Sequence, residues 1–387
     1  MAPPKPATAD SARLEGVKTT AHGRFALVGA PDWSMSGYFG ASVAVDGDIA
    51  VIAAPGAMSR GWVVCGEAYI YERREHVWTP TAVLKSPRPD VEGFARRVAV
   101  SGTRIAVFGG FARGSEAPVF NTYVRGKDGS WNEEAEVPTG EPMSWDATLR
   151  GDVAFVGEKS GVGIYRLDAG SWSRVQSLTA PADRARARFG VWLSSAGETL
   201  AVDCDDVTGA DGVATESYLY RLRDGAFVAE TRLPFETQRL FGCLARAGAA
   251  FVSMGGSGPL IVSERDGATW GRALTATKDW GAMGCLETGH PFAADGNLVV
   301  GASAGWHEFV VLERREDGWY RTALAPPADL VPRDTGMWPP ANPYVALSGR
   351  TAVVGTGLQV QGDGRLWFFD ITDDDLARAT KIEPDTK

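Results

Sequence analysis

The sequence predicts an all-β chain folded as one seven-bladed β-propeller of four-stranded antiparallel blades. Three observations predict it. A glycine turn followed by an apolar strand recurs seven times, the recurrences lie near fifty residues apart, and each copy continues through the same order of strand signals.

The first element of each copy reads Val45-Asp-Gly-Asp-Ile-Ala-Val-Ile52, Val100-Ser-Gly-Thr-Arg-Ile-Ala-Val107, Leu149-Arg-Gly-Asp-Val-Ala-Phe-Val156 and Ser195-Ala-Gly-Glu-Thr-Leu-Ala-Val202. Arg246-Ala-Gly-Ala-Ala-Phe-Val252, Ala294-Asp-Gly-Asn-Leu-Val-Val300 and Leu347-Ser-Gly-Arg-Thr-Ala-Val353 complete the set. The turn glycines Gly47, Gly102, Gly151, Gly197, Gly248, Gly296 and Gly349 are spaced 55, 49, 46, 51, 48 and 53 residues apart. Chance glycines would not keep both the spacing and the flanking strands.

The second element is an alternating aromatic or aliphatic strand, such as Ala68-Tyr-Ile-Tyr-Glu-Arg73 or Ser217-Tyr-Leu-Tyr-Arg221. Hairpin dipeptides such as Asp224-Gly225 and Asp266-Gly267 follow, then a fourth strand such as Val175-Gln-Ser-Leu178. A four-stranded unit cannot hide both faces alone, and a ring of such units hides them against each other. Residues 1–23 read as a disordered lead and 24–387 as the propeller. Two segments compete to close the ring: Phe25-Ala-Leu-Val28, the favoured one, and Leu376 to Ile382.

The stretch Tyr38-Phe-Gly-Ala-Ser-Val-Ala-Val-Asp-Gly-Asp-Ile-Ala-Val-Ile-Ala-Ala-Pro-Gly56 resembles the FG-GAP repeat of integrin α-subunit propellers. Phe189-Gly190 and Phe241-Gly242 repeat the Phe-Gly pair, and Phe94-Ala95 and Met283-Gly284 are decayed forms of it. The resemblance covers roughly residues 26 to 370 and speaks to fold more than to function. Some repeats of that family carry a calcium loop of the form Asp-x-Asp-x-Asp-Gly. None stands in this sequence, so no calcium and no cofactor is expected.

Composition narrows the function classes. The formal net charge of -9 lacks the basic footprint of a nucleic-acid binder. No apolar run is long enough for a membrane span. The first residues carry no apolar signal core, so a cytoplasmic protein is expected, or a secreted one if a signal was trimmed or another export route is used; a monomer is expected. Four cysteines do not make a disulfide framework. Cys243 and Cys285 hold equivalent places in adjacent copies, as free thiols or as a bonded pair.

Turns between strands one and two, and between three and four, are short and share one face. The other face gathers the long connections, where binding groups usually sit. Trp33, Tyr38, Trp62, Trp145, Trp280, Trp306 and Trp338 fall there, with Arg60, Asp146, Lys278, Asp279, His307 and Asp334 beside them. A flat ring next to a fixed polar group suits a sugar, a peptide or a cation; the same rings could simply plug the channel mouth. Arg184, Arg186 and Arg188 would lie on one side of an extended segment, as an anion grip or as a solvated stretch. Asp203, Asp205, Asp206 and Asp211 form the densest acidic segment but match no metal loop, so no metal is assigned.

Catalytic signatures fail on context. Gly301-Ala-Ser-Ala-Gly305 spells a nucleophile elbow, yet a strand follows it where a helix is required. The candidates for acid–base chemistry are His290 and His307, partnered by Asp279 or Glu287. The first reading is therefore a ligand-binding propeller for a small molecule, a glycan or a protein. The second is a lyase, cyclase or hydrolase working at the channel mouth.

Overall fold

The computed structural model describes residues 19–29, 37–57, 65–87, 91–112, 118–141, 143–184, 188–206, 214–234, 240–255, 260–276, 291–302, 308–329, 343–355 and 364–385. Its strands form seven antiparallel sheets, each meandering outward from an innermost strand. The innermost strands are Val43–Asp46, Arg97–Ser101, Met143–Arg150, Arg188–Ala196, Leu240–Ala245, Phe292–Asp295 and Tyr344–Ser348, for blades one to seven in order. Each touches the next, and the seventh touches the first. The fold is a seven-bladed β-propeller, as the repeat spacing predicts.

Each blade junction has its own apolar cluster. Ile70, Leu84, Phe94 and Val107 fill the junction of blades one and two, and Phe309, Val311, Val354 and Trp367 that of blades six and seven. The junction of blades four and five is the leanest, with Ala201, Leu219, Leu244 and Phe251 at its centre.

The turn glycines explain their own recurrence. Gly47, Gly102, Gly151, Gly197, Gly248, Gly296 and Gly349 all have φ between 55° and 84°, where a side chain is strained. The turns also tie blade to blade. The amide of Gly102 donates to Asp46 Oδ2 (2.6 Å), that of Gly151 to Ser101 Oγ (2.9 Å), that of Gly349 to Asp295 Oδ2 (2.6 Å) and that of Gly47 to Ser348 Oγ (2.9 Å). The residue just before one glycine thus holds the glycine of the following blade, and the last of these bonds crosses the point of closure. Other bonds serve the remaining junctions: Arg150 to the Gly197 carbonyl, Thr199 Oγ1 to the Gly248 carbonyl (2.9 Å) and the Arg246 amide to the Gly296 carbonyl (2.7 Å).

The Phe-Gly pairs have a similar logic. Phe39, Phe94 and Phe189 are buried, and the residues after them, Gly40, Ala95 and Gly190, all take positive φ. Ala95 holds the same left-handed backbone without being glycine.

Closure uses the favoured N-terminal segment, and the C-terminal one goes to a different blade. Phe25–Gly29 pairs with Arg365–Asp370 and completes blade seven, with Phe25 opposite Phe369 and Leu27 opposite Trp367. Thr19–His22 adds a fifth strand to the same sheet, so the sheet reaches back into the segment read as a lead. At the other end, Thr380–Lys381 adds a fifth strand to blade six beside Gly318–Leu324. Between them lies the helix Asp373–Ala377, started by a capping box between Thr372 and Asp375. Arg24 grips the buried carboxylate of Asp375 with both terminal nitrogens, and Arg378 adds a bond of 2.6 Å. The two ends of the chain are thereby fastened to each other. No described helix is long and apolar enough to cross a membrane.

Candidate functional site

The inner strands of all seven blades line a central cavity of about 220 Å³. Each strand enters from the long-connection face and ends at its turn glycine. Residues early in these strands therefore stand at the long-connection end of the channel.

The fifth residue before the turn glycine is Ser42, Arg97, Asp146, Trp192 and Tyr344 in blades one, two, three, four and seven. Three of these meet. Arg97 Nε donates to Asp146 Oδ1 at 3.2 Å, and its Nη1 donates to the Arg96 carbonyl at 3.0 Å. Its guanidinium carbon lies 4.9 Å from the centroid of the Tyr344 ring. Asp146 Oδ2 accepts the Leu193 amide at 2.7 Å, just as Ser42 Oγ accepts the Val98 amide at 3.2 Å. A chain of contacts thus runs from blade seven through blades two and three to blade four.

Burial matters for this chain. The Arg97 side chain is 12% exposed and that of Asp146 3%. Burial alone would lower the Arg97 pKa, but the Tyr344 phenol and the Asp146 carboxylate outweigh it and the net shift is upward. Burial raises Tyr344 in turn, opposed by Arg97. The guanidinium is held charged and fixed, the state in which it recognises an oxygen ligand best.

A second polar group lies deeper in the wall. Asp203 pairs in register with Trp192 on one side and Ser217 on the other, and the Ser217 hydroxyl donates to its Oδ1. Burial pushes the Asp203 carboxyl up to about 8; the Ser217 bond opposes that and the Asp146 charge adds to it. Cys243 is a free, buried thiol, pushed up to about 12 by burial and then by Asp203. A thiol so protonated is a poor nucleophile. Its companion Cys285 lies outside the described residues.

Few of the residues proposed from sequence can be placed. Tyr38 enters blade one on the long-connection face, 36% exposed and with φ of 51°. Asp146 is at the mouth but buried, so it acts on a ligand only by holding Arg97. Trp145 is described in backbone only, within Met143–Arg150. Trp33, Arg60, Trp62, Lys278, Asp279, Trp280, Trp306, His307, Asp334 and Trp338 lie outside the described residues, as do Glu287 and His290. Of the acidic segment, Asp203 faces Ser217 and Asp205 is paired with Arg188, while Asp211 and the Asp206 side chain are not described. No group of three or more metal-binding side chains is found among the described residues. Arg184 is bound to Glu216, and both it and Arg188 therefore serve carboxylates of this chain.

Sequence reasoning passed over Arg97 and Tyr344. Aligning the copies on their turn glycines, and asking which residue five places earlier is polar or aromatic, would have found both.

Comparison with protein-family models finds no match, and comparison with curated proteins finds none. Solved structures do match in fold. The Cps50 (Swd1) β-propeller domain of Myceliophteria thermophila aligns with a TM-score of 0.56 at 12% identity, covering 87% of this chain and 97% of that one. A chain of the Mitotic Checkpoint Complex aligns with a TM-score of 0.53 at 12% identity, over 90% and 95% of the two chains. A candidate 6-phosphogluconolactonase from Bacteroides fragilis NCTC 9343 gives 0.50 at 9% identity, over 80% and 92%. At such identities the likeness is one of architecture alone.

Proposed function

We propose that this protein is a recognition module that binds a small polar ligand, a carbohydrate in the first instance, at the long-connection mouth of its channel. The observation that carries the reading is the guanidinium of Arg97, held between Asp146 and the Tyr344 ring in a wall otherwise built largely of Val, Ala and Leu. A cavity lined mostly by small side chains, with a few polar groups fixed in its wall, has room and hydrogen-bonding surface for a small polar ligand. Tyr38, exposed on the same face, offers a ring for stacking against a sugar. The aromatic-rich long connections are part of the same reading. So is an FG-GAP kinship, which the buried Phe39 and Phe189 and the left-handed Gly40 and Gly190 support.

A glycan array probed with the folded protein tests the proposal. Binding to a restricted set of glycans, lost on Tyr38→Ala, is expected; a blank array from well-folded protein contradicts it.

A second reading, an enzyme at the same mouth, draws on Asp203. A buried carboxyl that keeps its proton to about pH 8 next to an ionic group such as Asp146 has the form of a general acid. Turnover of a sugar substrate that vanishes in Asp203→Asn would favour it over pure binding.

A further inference from the structure

The charges at the channel mouth narrow the class of ligand, on the premise that the mouth is a recognition site. Arg96 and Arg97 are neighbours where the inner strand of blade two begins. Arg97 has a carboxylate partner in Asp146. Arg96 is exposed and makes no ion pair among the described residues. Its pKa is lowered by desolvation and then by the charge of Arg97, with Tyr344 opposing. Asp203 adds little negative charge at neutral pH, because burial raises it to about 8. Among the described residues of the mouth, two guanidinium charges therefore stand against one carboxylate charge, an imbalance that an incoming anion relieves.

The surroundings select among anions. The Arg97 guanidinium reaches the Tyr344 ring of blade seven and also bonds the Arg96 carbonyl, and both arginines oppose the burial that raises the Tyr344 pKa, so the two charges stand on the blade-two side of that ring. Blade one lies between those blades, and its entry carries the exposed Tyr38. Charge for an acid group and an aromatic face for a ring thus occupy one sector of the mouth. A flat guanidinium matches the two oxygens of a carboxylate.

We infer that the ligand is a sugar acid, with its carboxylate set against Arg96 and Arg97 and its hydroxylated body on the Tyr38 side. The inference rests on the recognition reading above and specifies its ligand.

The test is a panel of hexuronates, neutral hexoses and hexose phosphates, screened at constant ionic strength by saturation-transfer NMR and followed by calorimetry. Hexuronates are expected to bind and neutral hexoses not to. Arg96→Ala should weaken hexuronate binding by roughly tenfold or more, with Arg96→Lys intermediate. Because Arg96 is exposed and makes no ion pair among the described residues, the unfolding midpoint of both variants should match the wild type. Neutral hexoses binding as tightly as hexuronates, hexose phosphates binding alone, or hexuronate affinity indifferent to Arg96→Ala each overturn the sugar-acid inference and leave recognition standing. Failure of every sugar class overturns both.

Discussion

Arg97 and Tyr344 meet at the channel mouth although they stand on blades two and seven, with the guanidinium carbon 4.9 Å from the ring centroid. The contact spans the sector of blade one and is possible because Ser42, the equivalent residue there, is small. Asp146 anchors the far side of the same guanidinium at 3.2 Å.

Asp146→Ala should destabilise the fold by about 3–5 kcal/mol, because it strands a buried charge and leaves the Leu193 amide without its acceptor. The double change Arg97→Met with Asp146→Leu should recover part of that loss. Urea unfolding of the three proteins checks this; a double variant at least as unstable as Asp146→Ala would contradict the pairing.

Asp203 and Glu216 should answer pH with opposite signs. Asp203 is raised to about 8, so from about pH 4, its unfolded value, to about pH 8 the folded state holds a proton that the unfolded state releases. Stability from this group falls as pH rises through that window, by at most about 1.4 kcal/mol per unit. Glu216 is held down at about 2 by the Arg184 hydrogen bond, with burial opposing and Arg232 and Tyr218 helping. Its contribution is complete above about pH 4.3 and is lost as pH falls toward 2. Asp203→Asn should flatten the neutral-side slope and Glu216→Gln the acid-side one, as read by urea midpoints from pH 2.5 to 9. Unchanged slopes would refute the assignments.

Two turn glycines should differ in their tolerance of alanine. A Cβ at Gly47 meets nothing within 4 Å, so only the left-handed backbone (φ 57°) resists, at about 1–2 kcal/mol. At Gly197 the Cβ would lie 2.1 Å from the Ala247 carbonyl oxygen of the next blade. Gly197→Ala should therefore cost clearly more than Gly47→Ala in thermal unfolding, and equal costs would deny that the blades approach so closely there.

The fastening of the chain ends is open to a similar check. Arg24→Ala leaves Asp375 with Arg378 as its remaining cationic partner and should cost about 2–4 kcal/mol. Limited proteolysis should then cut first within residues 371–385. Cleavage elsewhere, at the wild-type rate, would show that the bond does not hold the termini.

The ring was legible because its cause is local. A tight turn that needs positive φ, two residues long in six copies and four in blade five, selects glycine each time, and Gly47 to Gly349 print that requirement as a repeat. Closure was less legible, since Phe25–Gly29 and the segment around Thr380–Lys381 both carry strand patterns; the chain uses one on blade seven and the other on blade six. The site was least legible. Arg97 and Tyr344 are 247 residues apart, and only the geometry of a closed ring brings them together. Asp146 was picked out as a polar group at the mouth, but its burial under Arg97 and its hold on the Leu193 amide depend on blades two and four.

A crystal structure of the protein with its tightest glycan tests the central claim most directly. Ligand density at the long-connection end of the channel, with an acidic group against Arg96 and Arg97, is the predicted result. Density on the short-turn face, or at an outer strand remote from Arg97, would contradict it.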